Sequence, residues 1–371
     1  MDDTVASPAA VNPQLVVATR EALGLTQTQL ALRLGELSGT SPKISQGYVS
    51  RVEKGALSVN GDRAALFAAA LECTVDLLVS DVKLWSLGDG CLYHRNRAST
   101  KASTLRRLHA RVNLLRLYLH RLADAAEMSL PLFGLTPLTV GGLYGPGDAA
   151  RDLRSSFGLG LGAIQSVTEV AERVGALVVP LSLGSREVDA TSLHPPGEPP
   201  IFVINTDAPT DRQRFTLAHE IGHTACAAES DVDIEEMAQA FAGELLMPAL
   251  HVRCDLAAEP ITPARLLRLK STWRVSAAAL LRRAVDLAVI TDSRYRSVSA
   301  QMSALGWRTA EPEPLSAESP STVPAVLAKA IAVLGGVEEA ARVAGTTAAT
   351  LREMFGAGVA GGPSNGGMAR D

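Results

Sequence analysis

No apolar run in this sequence approaches the roughly 18 residues that a membrane span needs, and the opening stretch, MDDTVASPAA, is acidic and lacks the apolar core of an export signal. These absences predict a cytoplasmic protein with no membrane partner. Nor is there an excess of basic charge: 35 Lys and Arg stand against 39 Asp and Glu, a net charge of −4. That balance excludes a polycation that coats nucleic acid or membranes, so any contact with DNA must come from a local basic surface. Cysteine is scarce. Cys73, Cys91, Cys226 and Cys254 are scattered and form no CxxC pair, which argues against both a disulfide framework and a thiolate zinc finger. No long-period repeat runs through the chain.

What is present is enough chain, 371 residues, for two or three domains that each bury a core. Residues 1–80 read as short helices, with apolar positions at helical spacing from Leu15 to Leu34 and from Ala64 to Leu78. They predict an all-helical domain. Residues 81–147 hold a basic connecting helix and a linker. Between Arg95 and Arg121 there are eight Arg or Lys and no acid. There Leu105, Leu108, Val112, Leu115, Leu119 and Leu122 form a heptad seam that suits either a homodimer or packing on a neighbouring domain. Gly and Pro between Ser129 and Gly147 break the helix. Residues 148–310 mix helices with two strand-like runs, ALVVPLSL and PPIFVIN, joined by a loop, which is an α+β pattern. Residues 311–371 read as a linker (Glu311 to Pro324), a short helical segment (Ala325 to Phe355) and a disordered tail. VEEAARVAGTTAATLREMF, inside the helical segment, fits a small hairpin or a piece packed on the preceding domain.

Near the N-terminus, Thr26 can cap a helix that carries Leu30, Leu32 and Leu34. Ser45 can cap a second helix, with Val49 and Val52 inward and Gly55 as its stop, which turns Gln46, Gly47, Ser50, Arg51 and Lys54 outward. Such groups read base edges or hold phosphates. Thr26, Gln27, Glu53 and Gly55 match the pattern of the XRE, or lambda-repressor-like, helix-turn-helix family, which the stretch from 14 to 80 resembles. The resemblance implies binding of double-stranded DNA through Gln46, Tyr48 and Arg51, with Gln27 at a phosphate. One departure is that ELSGTSPKI makes the turn longer than the usual roughly three or four residues.

RQRFTLAHEIGHTAC has the pattern of one helix started by Asp211, and His219 and His223, at i and i+4, share a face where one cation can bridge them. Glu220 stands beside that pair, where a carboxylate can accept a proton from a water acidified by the metal. The spacing H-E-x-x-H thus points to zinc with Glu220 as general base. Phe215, Leu217, Ala218 and Ile221 give the helix a buried side, and Gly222 leaves room beside the site. A catalytic zinc takes three protein ligands and keeps an open position, so a third donor is needed. In DVDIEEMAQAFAGELLMP, Glu235 ends a stripe with Ala238 and Ala242 that is small enough for two helices to approach closely, and it is the first choice. Asp233, Glu236 and Glu244 compete with it, as does Cys226 at i+3 from His223. His194 and His251 read as solvated loop residues.

The run from PPIFVIN through RFTLAHEIGH to FAGELLMP resembles the ImmA/IrrE family of zinc metallopeptidases, a branch of the gluzincin-like zincins, over residues 160 to 250 and more weakly to 312. The family pattern E-x-x-A-x-x-F-A is met by Glu235, Ala238, Phe241 and Ala242. Met237 stands where many members carry a second acid, and Ala227 where a histidine is common. The resemblance implies a zincin-like fold, Zn2+ held by His219, His223 and Glu235, and catalysis by Glu220. It also makes IFVIN a candidate strand to take a peptide substrate by edge pairing, although an ordinary sheet strand is the simpler reading of those residues.

The expected architecture is multidomain: an all-α helix-turn-helix domain, an α+β zincin-like metallopeptidase domain and a helical C-terminal segment. The expected function is a DNA-binding transcriptional regulator whose zinc endopeptidase cleaves a repressor-type protein in a stress or mobile-element response. The alternative, from another class, is a non-proteolytic transcription factor in which the zincin domain senses a metal or ligand or holds a dimer together.

Overall fold

Side chains at the starts of the first helices take up backbone N–H groups that have no partner within the helix. In the computed structural model, α1 (Pro13–Ala22) is capped by Asn12, α2 (Gln27–Ser38) by Thr26 in a reciprocal capping box with Gln29, and α3 (Gln46–Glu53) by Ser45. α4 (Gly61–Ala70), α5 (Val75–Leu78) and the long α6 (Ala102–Ala125) follow. Leu15, Leu30, Leu34, Val49, Val52, Phe67 and Leu77 from these short helices are fully buried. The structure describes residues 9–39, 44–86, 92–96, 100–132, 134–184, 187–229 and 232–356. The chain divides into two units, one made of Met1–Tyr93, Arg97–Leu130 and Thr322–Asp371, the other of His94–Asn96 and Pro131–Ser321.

The second unit is α+β. Its strands are β1 (Leu92–Asn96, whose last three residues belong to this unit), β2 (Leu138–Val140), β3 (Leu177–Leu181), β4 (Val188–Leu193), β5 (Ile201–Asn205) and β6 (Cys226–Ala228). Four of them form a sheet in the order β1-β4-β5-β3, while β2 and β6 pair in parallel as a separate ribbon. IFVIN is β5, and it is interior: β3 pairs with it in parallel on one side and β4 antiparallel on the other. Of the two readings of IFVIN the ordinary sheet strand holds, because both of its hydrogen-bonding edges are already used. β4, VDATSL, lies where the sequence reads as loop, and all six of its residues are buried. A strand buried on both faces shows no apolar alternation to reveal it.

Around these strands lie α7 (Pro146–Ser156), α8 (Val167–Arg173), α9 (Thr210–Ala225), α10 (Ile234–Leu246), α11 (Ala249–Ala257), α12 (Pro263–Trp273), α13 (Ala277–Asp286) and α14 (Asp292–Ala304). α9 packs on α10, on α8 and on β4 and β5, burying Leu217, Ala218 and Ile221. It is preceded by Pro209 rather than started by Asp211, which lies inside the first turn and is ion-paired to the buried Lys270 at 2.6 Å. The proline-rich stretch after α14, a linker by composition, is pinned to this unit. Glu311 accepts from Lys270 and from the backbone N–H groups of Ala277 and Ala278, and Glu318 accepts from Arg214 and the Thr168 N–H.

The C-terminal helices α15 (Thr322–Leu334), α16 (Val337–Ala344) and α17 (Ala348–Phe355) return to the first unit. α15 and α16 pack on α6, as does α1. The Thr74 N–H donates to Gly345 O at 3.1 Å, and Arg111 pairs with Glu353 at 2.9 Å. On α6, Leu108, Val112, Leu115, Leu119 and Leu122 are buried, and so are Leu114, Leu117 and Tyr118 around the rest of its girth. Five of the six seam residues are thus covered within the chain, while Leu105 is half-buried. Among the described residues no helix is long and apolar enough to cross a membrane. The tail after Gly356, Cys91 and residues 40–43 of the turn between α2 and α3 lie outside the described residues.

Candidate metal centre

The closeness of α9 and α10 comes from small residues. A Cβ on Gly222 would lie 3.1 Å from Phe241 Cδ1, 3.2 Å from Ala238 Cα and 3.3 Å from Ala238 O, so the helices touch where glycine faces alanine. Glu235 sits one turn before Ala238, and its carboxylate meets the two imidazoles that α9 presents. His219 Nε2 and His223 Nε2 are 3.1 Å apart, Glu235 Oε2 is 3.2 Å from His219 Nε2, and Glu235 Oε1 is 3.4 Å from His223 Nε2. Ligands held at about 2.0–2.2 Å from zinc at tetrahedral angles stand about 3.3–3.6 Å apart, so the three donors nearly trace one face of such a tetrahedron. Two imidazole nitrogens and one carboxylate are a donor set that suits zinc. Among the described residues this is the one cluster of three or more His, Cys, Asp or Glu with that convergence. Hydrogen bonds from His219 and then His223 hold the Glu235 carboxyl well below the usual carboxylate range, although 68% of its side chain is exposed. It is therefore anionic, as a ligand must be.

The competing donors are occupied elsewhere. Asp233 caps α10 by accepting from the N–H groups of Glu235 and Glu236 at 2.9 and 3.0 Å. Glu244 is buried in an ion pair with Arg283 and lies 3.2 Å from Arg151. Glu236 is exposed on α10 and stands outside the cluster. Cys226 opens β6, and burial pushes its thiol up to about 12, which keeps it protonated at neutral pH.

Glu220 is almost wholly buried, at 1% exposure, and takes no place among the three donors. The Ser192 hydroxyl donates to its Oε2 at 2.6 Å, and His194 Nε2 lies 3.0 Å from the same Ser192 oxygen. The reading of His194 as a solvated loop residue is thereby corrected. It directly follows β4, its ring centroid is 5.6 Å from that of Phe202, and burial, aided by nearby His223, pushes its pKa down to about 3. Neither Ser192 nor His194 carries a local motif; the Pro195-Pro196 pair that ends the segment and the β-branched residues of VDATSL were the available signals of a strand. His251 is exposed, on α11 rather than in a loop.

In the first unit, α3 turns Gln46, Gly47, Arg51 and Lys54 to solvent. Gln46 Nε2 donates to Gln27 Oε1 at 2.6 Å, and Gln27 Nε2 donates to Glu53 Oε2 at 2.7 Å. Glu53 also receives Arg20 Nε at 2.5 Å. The starts of α2 and α3 are thus tied together at the surface that carries Gln27 and Gln46. Tyr48 is half-buried, its ring 6.2 Å from that of Phe67 and 5.6 Å from the Arg63 guanidinium. Arg51 stands exposed.

Residues 171–285 match the IrrE N-terminal-like domain of peptidase family M78, and residues 18–78 match the helix-turn-helix family model. The chain therefore carries an XRE-type helix-turn-helix domain and an IrrE-like metallopeptidase domain. It is 36% identical over 83 residues to the radiation response metalloprotease IrrE of Deinococcus radiodurans, covering 21% of this chain and 25% of that protein. To the protein of the same description from Deinococcus deserti it is 29% identical over 168 residues, 44% of this chain and 54% of the relative. The chain spans a quarter and about half the length of the two curated relatives it matches.

Proposed function

We propose that this protein is a DNA-bound transcriptional regulator whose second unit is a zinc endopeptidase acting on a specific, repressor-type regulatory protein. The observation that carries the reading is Glu220, a buried carboxylate next in sequence to a metal ligand, absent from the donor set and hydrogen-bonded by the Ser192 hydroxyl at one of its oxygens. A site that merely senses or stores a metal needs no such base.

In this reading His219, His223 and Glu235 are the residues that would hold Zn2+. Zinc, when bound, polarises the scissile carbonyl and lowers the pKa of the attacking water to about 7. Glu220 accepts the proton from that water through its second oxygen and passes it to the leaving amine as the peptide bond breaks. The two histidines are set by the rigid α9 and Glu235 by α10, so the donors are organised before the metal arrives. The helix-turn-helix domain implies double-stranded DNA as partner, with Arg51, Gln46, Tyr48 and Gln27 at or near the contact, and a peptidase that works beside DNA belongs in the cytoplasm. Relatives described as radiation response metalloproteases support a stress response as the setting.

The test is Glu220→Gln in the full chain, which keeps size and helix propensity but removes the basic oxygen. Zinc content, DNA binding and thermal stability should stay near those of the parent. New protein N-termini that appear in cells carrying the parent after stress should be absent with E220Q, and the transcriptional response should fail. A normal response in E220Q cells, with no protein cleaved in either strain, would leave the non-proteolytic transcription factor as the reading.

A further inference from the structure

Ser192 and Glu220 lie on different elements, β4 and α9, and both are buried, at 0% and 1% exposure. The direction of the hydrogen bonds that join them to His194 follows from counting protons. The Ser192 hydroxyl has a single proton, and it is donated to Glu220 Oε2 at 2.6 Å. The Ser192 oxygen then has only lone pairs to offer at 3.0 Å to His194 Nε2, which must carry the hydrogen. Phe202, paired with Ser192 in the β4–β5 register, packs beside the imidazole and limits its rotation. We propose that Ser192 and His194 are positioning residues for Glu220. The chain from His194 Nε2–H through the Ser192 hydroxyl fixes Oε2 and turns Oε1 toward the attacking water.

A carboxyl group on a flexible three-torsion arm would otherwise sample orientations in which neither oxygen faces that water, and a 2.6 Å bond from a hydroxyl on a β-strand removes that freedom. The role differs from generic solvation of a buried charge in requiring one tautomer of His194 and one donor direction. The catalytic consequence rests on the peptidase reading above, whereas the bonding pattern does not.

The full-length, zinc-loaded protein is labelled with 15N-histidine, and His194 is assigned by its loss in His194→Gln. Long-range 1H–15N correlation should show His194 protonated at Nε2, and Ser192→Ala should release that preference. The infrared carboxylate stretch of Glu220, isolated by difference against E220Q, should shift in Ser192→Ala and return in Ser192→Thr, which restores a hydroxyl. Zinc affinity in competition with a chromophoric chelator should be the same in all the Ser192 variants. On a fluorescein-labelled casein substrate, Ser192→Ala should lower kcat about tenfold to hundredfold with KM unchanged, and Ser192→Thr should recover most of it. A His194 protonated at Nδ1, or a Glu220 stretch indifferent to Ser192, overturns the proposal. If those signatures hold while neither the parent nor any variant cleaves a protein, the positioning chain stands and the peptidase reading fails.

Discussion

Gly222→Ala tests the contact on which the metal centre depends. The added Cβ would lie 3.1 Å from Phe241 Cδ1 and 3.2 Å from Ala238 Cα, and one of these is backbone that cannot swing away. Carbon atoms attract at about 3.5–4.0 Å, so α10 must recede from α9 by about 0.3–0.4 Å to restore contact. Glu235 is three residues before Ala238, about 4.5 Å along the axis, and moves almost as far. A metal site tolerates about 0.2 Å in its ligand distances, and disturbances of that kind weaken binding about 10–100-fold. Stability changes less. Alanine gains about 0.8–1.0 kcal/mol of helix propensity over glycine, against about 1–3 kcal/mol for overpacking, a net loss of about 0–2 kcal/mol. Zinc affinity is read by chelator competition and the metal-free fold by thermal unfolding. An unchanged affinity in a folded variant would refute the claim that the α9–α10 approach sets the position of Glu235.

Glu235→Ala should lower zinc content as much as His219→Ala does, while Cys226→Ser leaves it intact; metal analysis showing the reverse would make the thiol the third ligand. Arg51→Ala should weaken specific DNA binding by about 1–3 kcal/mol without altering the melting curve, and an unchanged gel-shift titration with unchanged base preference would remove Arg51 from the interface. Lys270→Met leaves the buried Asp211 carboxylate without its cation and takes one of three hydrogen bonds from Glu311, and should destabilise the second unit by about 3–5 kcal/mol in denaturant titrations. Burial opposes the charge of Lys270, but hydrogen bonds and attraction from Asp211 and Glu311 raise its pKa above the ordinary lysine value. A raised folded pKa means that this stabilisation is complete below the unfolded value and is lost as pH rises through the folded one. On the alkaline side the parent's advantage over Lys270→Met should therefore persist through neutral pH and shrink only at strongly alkaline pH, and an advantage lost between about pH 7 and pH 9 would contradict the pairing.

Sequence alone determined the features that depend on neighbours within a turn or two. The helix starts at Thr26 and Ser45 follow from a hydroxyl placed to meet an N–H three residues on, and His219 and His223 share a face because they are four apart on a helix. Glu235 was legible because its stripe with Ala238 and Ala242 has the period of a helix, although its meeting with the histidines required α10 to dock on α9. The remaining features were decided only by tertiary structure. β4 hides in VDATSL because burial of both faces erases alternation, and with it were hidden Ser192, which reaches Glu220 across 28 residues of chain, and His194. The heptad seam of α6 states that one face must be covered but not by what, and the cover came from α1 and from helices at the far end of the chain, where Glu353 meets Arg111 across 242 residues. Acidic residues of a proline-rich stretch look solvated until Lys270 and Arg214 are found beneath them. A period in a sequence specifies which side chains share a face; which distant element that face meets is fixed by complementary shape and charge, and these exist only once the chain has packed.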